Sequence, residues 1–282
     1  MTAPSTTVAS VDLRVQPVDQ ALSRVERALG VRFDPETVVR KRRTVGARTH
    51  RDTWVRIERR PIAKITGQGW NGAECATALN GVAKPGWFQS VSWADAAGAA
   101  AWRADETELL PGHPVSRDAA RALSTDWWEA LNASLDALAA QYTTRVATPD
   151  SVPITQARVT QAIRTAFPHV LDTTIREWSP AHADLNWANV TAPEFCLFDW
   201  EDWGMAPRGL DSAWLWGNSL SAPELANQVR RERLRDLQSR DGKLMSLLFC
   251  ATVAFPHTGS NDSSVDFART EAARIVAELQ TA

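Results

Sequence analysis

The sequence predicts an α+β protein with two lobes, a smaller β-rich one followed by a larger, mainly helical one. The chain has 282 residues, 44% of them hydrophobic and 23% charged, which suits two lobes better than one small domain. Strand patterns come before residue 110 and helical patterns dominate after residue 126. We therefore expect a flexible tail over residues 1–16, a first lobe over 17–110 and a second lobe over 111–282.

Local patterns predict the elements of the first lobe. Residues 18–29 have helical spacing and end at Gly30, a typical helix cap. Strands over residues 38–45 and 53–58 flank a polar segment and so form a hairpin-like pair. The other predicted elements are a short helix over 73–79 and strands over 87–93 and 99–110. A Pro-Gly-His-Pro turn over residues 111–114 then marks the expected hinge between the lobes.

Helical spacing predicts most of the second lobe. Two helices, over residues 126–140 and 154–167, precede a central polar segment. Four more follow it, over residues 209–219, 222–239, 243–255 and 265–279.

Composition excludes several classes of function. A net charge of −2 and a pI near 6.2 provide no basic field for nucleic acid or for a membrane surface. Three widely separated cysteines are not a disulfide framework and fit a reducing compartment. The N-terminal residues lack the basic start and apolar core of a secretion signal. We therefore expect a soluble cytoplasmic protein; its oligomeric state is not legible in the sequence.

The most informative segment lies between residues 182 and 201. His182, Asp184 and Asn189 share one short stretch, and Asp199 follows a mostly apolar run over residues 194–198 that we expect to be a buried strand. Carboxylate and amide oxygens are the ligands that Mg²⁺ prefers. Kinases combine such ligands with an aspartate base placed five residues before an asparagine ligand. The spacing therefore favours a phosphoryl-transfer site.

These residues resemble the aminoglycoside phosphotransferase and choline kinase superfamily. The catalytic segment of that family reads His-x-Asp-x-x-x-x-Asn, followed by Asp-[Phe/Trp]-[Glu/Asp], as in Asp199-Trp200-Glu201 here. A protein kinase would instead show His-Arg-Asp and Asp-Phe-Gly. The resemblance implies a bilobal protein-kinase-like fold and Mg²⁺-dependent transfer of phosphate from ATP, with GTP a possible donor, to a hydroxyl of a small molecule.

The resemblance also implies a role for each residue of the segment. Asp184 would be the catalytic base, while Asn189 and Asp199 would bind the metal. His182 belongs to the same catalytic segment, where we expect it to brace the loop by hydrogen bonds rather than to transfer protons. Asp211, at the start of a helix, would support the loop by a hydrogen bond.

The nucleotide-binding residues match the family less well. The segment around Arg56 resembles the third strand of the first lobe, with arginine in place of the usual lysine, and Glu74 is its expected partner. Lys64 is a rival for the phosphate contact, and a solvated surface arginine is the plain alternative for Arg56. Gly46 is the one glycine in the expected phosphate-covering segment, residues 43–48.

The acceptor site is the least legible part of the sequence. Glu201 and Asp202 are either acceptor-binding acids or solvated turn charges. Thirteen tryptophans include several near the motif, and core packing is the default interpretation for them. Trp187 or Trp203 could instead form a wall of an acceptor pocket. Antibiotics, sugars, amino sugars and amino alcohols all stay open as acceptors.

Two other classes of function stay open. The missing lysine and the thin glycine loop would permit a catalytically weak or inactive kinase-like nucleotide-binding protein, although intact Asp184, Asn189 and Asp199 argue against it. The pattern Gly67-x-Gly69-x-x-Gly72 lies between an apolar run and a helix, as in a dinucleotide-dependent oxidoreductase. The strand and helix order downstream does not complete a doubly wound sheet.

Overall fold

The computed structural model describes residues 12–65, 68–254 and 263–281, and the chain divides into two compact units. The first unit runs to Thr77 and resumes over Pro85–Leu110; the second comprises Ala78–Lys84 and the chain from Pro111 onward. Ala78–Lys84 lies within the range expected for the first lobe, residues 17–110. That segment belongs to the second unit because Ala83 donates its N–H to Ser134 Oγ at 3.1 Å and accepts the N–H of Leu197 at 2.9 Å.

A five-stranded antiparallel sheet forms the first unit, with the strand order β1-β2-β3-β5-β4. The elements, in chain order, are α1 (Asp19–Leu29), β1 (Val39–Arg40), β2 (Thr44–Arg48), β3 (Thr53–Pro61), α2 (Gly72–Cys75), β4 (Trp87–Ala94) and β5 (Ala100–Glu108). The predicted hairpin is the β2–β3 pair. The strand predicted over residues 38–45 is interrupted between β1 and β2, and α2 continues as a 3-10 turn over Ala76–Ala78.

Helix α1 packs on one face of this sheet. Val25 and Leu29 of the helix are buried against Val55 and Ile57 of β3. The helix ends at Gly30, whose φ of 66° lies in the left-handed region that glycine adopts without strain. Because side chains alternate along a strand, Arg56 and every second residue after it point to the opposite face of the sheet. That second face carries Arg56, Glu58 and Arg60. The fourth charged residue of β3, Arg59, lies on the same face as Val55 and Ile57.

Helices dominate the second unit. Its elements are β6 (His113–Pro114), α3 (Thr125–Ala139), α4 (Gln156–Ala166), β7 (Trp178–Ala181), β8 (Thr191–Ala192), β9 (Gly204–Pro207), α5 (Leu210–Gly217), α6 (Pro223–Glu232), α7 (Leu234–Leu237), α8 (Arg240–Ala254) and α9 (Ser263–Gln280). The helix predicted over residues 222–239 is two helices, because Arg233 leaves helical geometry at φ −109° and ψ 34°. Phe255, the last residue of another predicted helix, lies outside the described residues.

Helix α8 is the centre of the second unit. Leu244, Met245 and Leu247 are all buried, so the helix is surrounded by protein. It packs against α5 and α9. Gly217 of α5 permits the close approach, because a Cβ there would lie 2.3 Å from the ring of Phe249. This contact holds the C-terminal end of α5 against α8.

Two further observations bear on the expectations. In the described ranges, no helix is both long enough and apolar enough to cross a membrane.

The large sheet is antiparallel throughout its described strands, whereas a doubly wound dinucleotide fold needs a parallel one. Gly67 lies outside the described residues, and Gly69 begins a 3-10 turn. The fold therefore does not support the oxidoreductase alternative.

Candidate functional site

A short two-stranded ladder frames the central segment. β7 pairs antiparallel with β9, with Ala181 opposite Gly204, so the chain leaves β7 directly before His182 and returns at Gly204. Inside this loop Val190 pairs with Leu197 through an isolated antiparallel bridge. The strand predicted over residues 194–198 was therefore wrong. Leu197 is buried, as expected, but the flanking residues make no ladder.

Asp211 holds the beginning of the loop. Its Oδ2 accepts the backbone N–H of His182 at 2.7 Å, and its Oδ1 accepts that of Ala183 at 2.8 Å. Asp211 lies in the first turn of α5, where the helix dipole favours a carboxylate. Burial nonetheless raises the pKa of Asp211 to about 6, against the lowering effect of the two hydrogen bonds.

Two residues of the loop have strained backbone. Ala183 has φ 71° and Asp199 has φ 67°, in the left-handed region that ordinary residues avoid. Such conformations cost about 1–3 kcal/mol and are concentrated at functional sites. Asp199 is a candidate metal ligand, and Ala183 directly precedes Asp184, the candidate base.

His182 is buried under the loop. Its Nε2 lies 3.0 Å from the carbonyl oxygen of Phe198, and its ring meets Trp200 edge to face. Since a carbonyl only accepts, Nε2 carries the proton and Nδ1 is an acceptor, for which the described residues provide no partner. Burial lowers the pKa of His182 to about 4. The neutral ring ties the two halves of the loop together, which is the bracing role expected for it.

Asp184 and Asn189 are in direct contact. Asn189 Nδ2 donates to Asp184 Oδ2 and to the Asp184 carbonyl, both at 2.8 Å. Asn186 donates to the same carboxylate at 3.2 Å, and its own side chain accepts the N–H of Ala188 at the start of a 3-10 turn, Trp187–Asn189. With Asn189 Nδ2 engaged in this way, its Oδ1 is the side-chain atom that would bind a metal.

Burial raises the pKa of Asp184 to about 6. The hydrogen bond from Asn189 lowers that pKa, and the negative charges of Asp199 and Asp202 raise it again. A carboxylate with a raised pKa is a stronger base while remaining ionised near neutral pH.

The donor set fits a magnesium ion better than a metal held by protein alone. Among the described residues, no group of three or more His, Cys, Asp or Glu could hold a metal ion. Magnesium is usually bound by one or two protein oxygens, with phosphate and water completing the octahedron. Asn189 Oδ1 and the Asp199 carboxylate are two such hard oxygens beside concentrated negative charge.

The two candidate acceptor tryptophans lie inside the protein. The indole N–H of Trp187 donates to Ser219 Oγ at 3.0 Å, and its ring packs against Trp127 and Trp128. The buried ring of Trp203 is covered by the Arg145 guanidinium at 4.8 Å. Neither ring presents a face to an acceptor, so both support the core-packing interpretation.

The two candidate acceptor acids differ in their surroundings. Asp202 Oδ1 accepts the hydroxyl of Thr148 at 2.7 Å, so this carboxylate is fixed by a neighbour rather than solvated. Glu201 is partly buried beside it and also has an interaction within the protein. Asp202 therefore contributes to the charge around Asp184, whereas Glu201 stays a candidate only.

The nucleotide candidates of the first unit are arranged differently from the expectation. Glu74 Oε2 accepts from Arg103 Nη2 of β5 at 3.0 Å, whereas Arg56 Nη1 lies 3.3 Å from Glu58 Oε2. The predicted Arg56–Glu74 pair was therefore wrong. Sequence spacing suggested a helix carboxylate for Arg56 and missed Glu58, although a period of two puts both residues on one face of β3.

Gly46 and Lys64 complete the nucleotide candidates. Gly46 lies within β2, not in a loop, and a Cβ there would meet Trp54 Cζ2 at 2.3 Å. Its lack of a side chain is thus explained by the Trp54 ring that packs on it. Lys64 lies at the end of a 3-10 turn, Ile62–Lys64, after β3.

Sequence reasoning missed four residues that hold the candidate groups: Asn186, Thr148, Arg145 and Glu58. Asn186 and Glu58 have local signals, because an asparagine that caps a turn is recognisable from its neighbours and Glu58 lies two positions from Arg56 on one strand. The contacts of Thr148 and Arg145 depend on residues far along the chain.

Several solved structures are similar to this chain over nearly its whole length, among them the following three. One is an amicoumacin kinase in complex with AMP-PNP, Ca²⁺ and Ami, with a TM-score of 0.56 at 16% identity, covering 93% of each chain. Another is the GDP complex of aminoglycoside 2'-phosphotransferase-IIIa, with a TM-score of 0.58 at 14% identity, covering 93% of this chain and 99% of that one. A choline/ethanolamine kinase family protein from Mesorhizobium loti has a TM-score of 0.51 at 14% identity, covering 94% and 95%.

These likenesses confirm the kinase-like α+β fold and the structural resemblance to aminoglycoside phosphotransferases and choline kinases. At such low identity they establish the fold alone. No protein-family model matches the chain, and no curated protein matches its sequence.

Proposed function

We propose that this protein is a small-molecule kinase that transfers the terminal phosphate of ATP, or of GTP, to a hydroxyl group. The observation that carries the proposal is the Asp184–Asn189 contact on a loop held by Asp211 and His182. A loop fixed in this way presents a base and two metal ligands without further rearrangement. The kinase-like fold supports the same conclusion.

Asp184 would act on the acceptor. Its carboxylate would accept a hydrogen bond from the acceptor hydroxyl and take its proton as the oxygen bonds to phosphorus and the bond to the leaving diphosphate breaks. A pKa raised to about 6 leaves Asp184 ionised at neutral pH and able to receive that proton. Asn189 would keep the carboxylate in one orientation.

Asn189 and Asp199 would hold a magnesium ion, which when bound would neutralise charge on the phosphate groups. The left-handed backbone of Asp199 and the turn that Asn186 caps before Asn189 support this assignment. In the first unit, Arg56 is the candidate for contact with a nucleotide phosphate, and Lys64 stays its rival.

The acceptor is a small molecule bearing a hydroxyl. The similar structures are of kinases whose names point to an antibiotic, an aminoglycoside and a choline or ethanolamine group. Antibiotics, sugars, amino sugars and amino alcohols are therefore the classes to screen. A role in antibiotic resistance is one form of this proposal, and action in the cytoplasm is expected for an enzyme that uses ATP.

The test is a phosphate-transfer assay with γ-labelled ATP or GTP, magnesium and a panel of those acceptors. We expect the wild type to label at least one acceptor, and the Asp184→Ala variant to lose that activity while still binding nucleotide. Glu194→Ala is the matched control, because Glu194 is an exposed carboxylate in the same loop. It should label the acceptor like the wild type.

The inactive-kinase alternative predicts a different result. Nucleotide binding without transfer to any acceptor class would favour a binding protein. Equal transfer by the wild type and the Asp184→Ala variant would contradict the site assignment itself.

A further inference from the structure

Glu74 and Glu58 are two carboxylates with different arginine partners. Glu74 of α2 is 46% exposed and bonds to Arg103. Arg103 is also held by Asp105, through Nε to Oδ2 at 2.8 Å and Nη2 to Oδ1 at 2.7 Å. Glu74 thus belongs to an ion pair on β5, one strand away from Arg56.

Glu58 is the carboxylate that contacts Arg56. The two residues are two positions apart on β3 and therefore lie on the same face of the sheet. The Glu58 side chain is only 8% exposed, whereas that of Arg56 is 36% exposed. The shared carboxylate oxygen, Glu58 Oε2, also accepts from Arg60 Nη2 at 3.1 Å.

Arg60 fixes the orientation of Glu58. Its Nε donates to Glu58 Oε1 at 2.5 Å, which together with the Nη2 contact makes a two-bond, fork-to-fork pair. Both side chains of this pair are buried. Because Arg60 holds both oxygens of the Glu58 carboxylate, that carboxylate stays in place. The Arg56 guanidinium is therefore the group whose position adjusts to the contact.

We propose that Glu58, and not Glu74, is the residue that positions Arg56 for the phosphates of a bound nucleotide. The inference rests on the proposed kinase function. Glu58 is a positioning residue, since it acts through the Arg56 guanidinium and itself is buried away from solvent. Arg60 supports Glu58 by donating a hydrogen bond to each of its carboxylate oxygens.

The position of Glu58 on the same strand as Arg56 has a consequence for regulation. In protein kinases the equivalent carboxylate is carried by a helix, and the position of that helix controls whether the ion pair forms. Here cation and carboxylate are on one strand, and the backbone of β3 fixes their spacing. The pair is assembled whenever the sheet is folded, so nucleotide binding should not depend on the position of α2.

Nucleotide affinity of matched variants tests this inference, measured by calorimetry with ATP or GTP in the presence of magnesium. We expect Glu58→Gln to weaken nucleotide binding by about tenfold, on the scale of one charge-assisted contact. Glu74→Gln is the matched control and should bind within about twofold of the wild type. The reverse order of these two effects would overturn the proposal.

A double-mutant cycle separates positioning from a purely structural role. In an Arg56→Ala background, Glu58→Gln should change nucleotide affinity by less than about twofold, because the residue that it positions is gone. An equal loss with and without Arg56 would show that Glu58 acts only through the fold and would contradict the proposal.

A second variant guards against misfolding. Glu58→Gln leaves the buried Arg60 without its charged partner, which can destabilise the sheet. The double variant Glu58→Gln/Arg60→Gln removes both buried charges, and it should show the same loss of nucleotide affinity. If nucleotide binds the wild type but every variant binds equally well, this inference fails and the proposed function stands. If the wild type itself does not bind nucleotide, the proposed function fails.

Discussion

The carboxylate of Asp211 accepts the backbone N–H of Ala183 at 2.8 Å, at a residue whose φ is 71°. A left-handed conformation costs an ordinary residue about 1–3 kcal/mol, so the hydrogen bond offsets strain directly before Asp184. The second carboxylate oxygen accepts the N–H of His182. A residue at the start of α5 thus determines the backbone path into the candidate base.

Replacement of Asp211 by asparagine should therefore cost more than the loss of a charge. The amide has one oxygen for two backbone donors, so one buried N–H loses its partner. We expect Asp211→Asn to lower the free energy of unfolding by about 1–3 kcal/mol and to reduce phosphate transfer. Urea unfolding and the transfer assay measure the two effects.

Asp241→Asn is the control for that prediction. Asp241 also accepts two backbone N–H groups, from Arg176 at 2.9 Å and Glu177 at 2.7 Å, but with the single oxygen Oδ2. An asparagine there can keep both bonds. Equal destabilisation by the two variants would contradict the account of Asp211.

Gly46 provides a prediction about the first unit. A Cβ at this position would lie 2.3 Å from Trp54 Cζ2, so Gly46→Ala must displace a large ring from the sheet. Overpacking of this kind costs about 1–3 kcal/mol. Thermal unfolding of the variant should show the loss, and replacement of Trp54 by leucine in the same chain should remove most of it.

Gly86→Ala is the comparison for Gly46→Ala. The atom nearest to a Cβ at Gly86 is Glu108 Oε2 at 3.7 Å, which is an ordinary contact. Its stability should stay close to that of the wild type. A destabilisation as large as that of Gly46→Ala would mean that glycine is needed at both positions for backbone reasons instead.

His182 predicts a pH dependence of stability. Burial lowers its pKa from 6.5 to about 4, so the folded state binds fewer protons than the unfolded state between these values. The stability that the neutral ring contributes is present above about pH 6.5 and is lost as the pH falls towards 4. From pH 7 to pH 5 the wild type should lose about 2 kcal/mol more than His182→Gln.

Urea unfolding at the two pH values tests the His182 prediction. His169→Gln is the control, because His169 is exposed, and it should keep the acid sensitivity of the wild type. If His182→Gln kept the full acid sensitivity too, the buried neutral histidine would not be its source.

The sequence predicted those parts of the site whose geometry is local. Asp184 and Asn189 meet because five residues of loop close into a capped turn, and the spacing alone contains that information. The elements with strong periodicity, such as α1, β3 and α3, were predicted within a few residues of their bounds. The helix predicted over residues 222–239 broke at Arg233, whose side chain pairs with Asp136 and Asp236.

The other parts of the fold and site depend on contacts between residues far apart along the chain, and these could not be predicted from the sequence. Glu74 had the right residue type for Arg56, but it bonds to Arg103 of β5 instead, and this contact between α2 and the sheet is not visible in the local sequence of either element. The strand predicted before Asp199 failed for a related reason. Phe195, for example, is buried against Trp127 of α3, so burial there needs no ladder.

The most direct test of the central claim is a thermal-shift titration with ATP, GTP and NAD(H), each with and without magnesium. Ligand binding to the folded state raises the melting temperature. We predict a magnesium-dependent rise with ATP or GTP for the wild type, and its loss in the Asp199→Ala variant. A rise with NAD(H) alone, or an undiminished rise with magnesium and ATP in Asp199→Ala, would contradict a kinase site built on Asp184, Asn189 and Asp199.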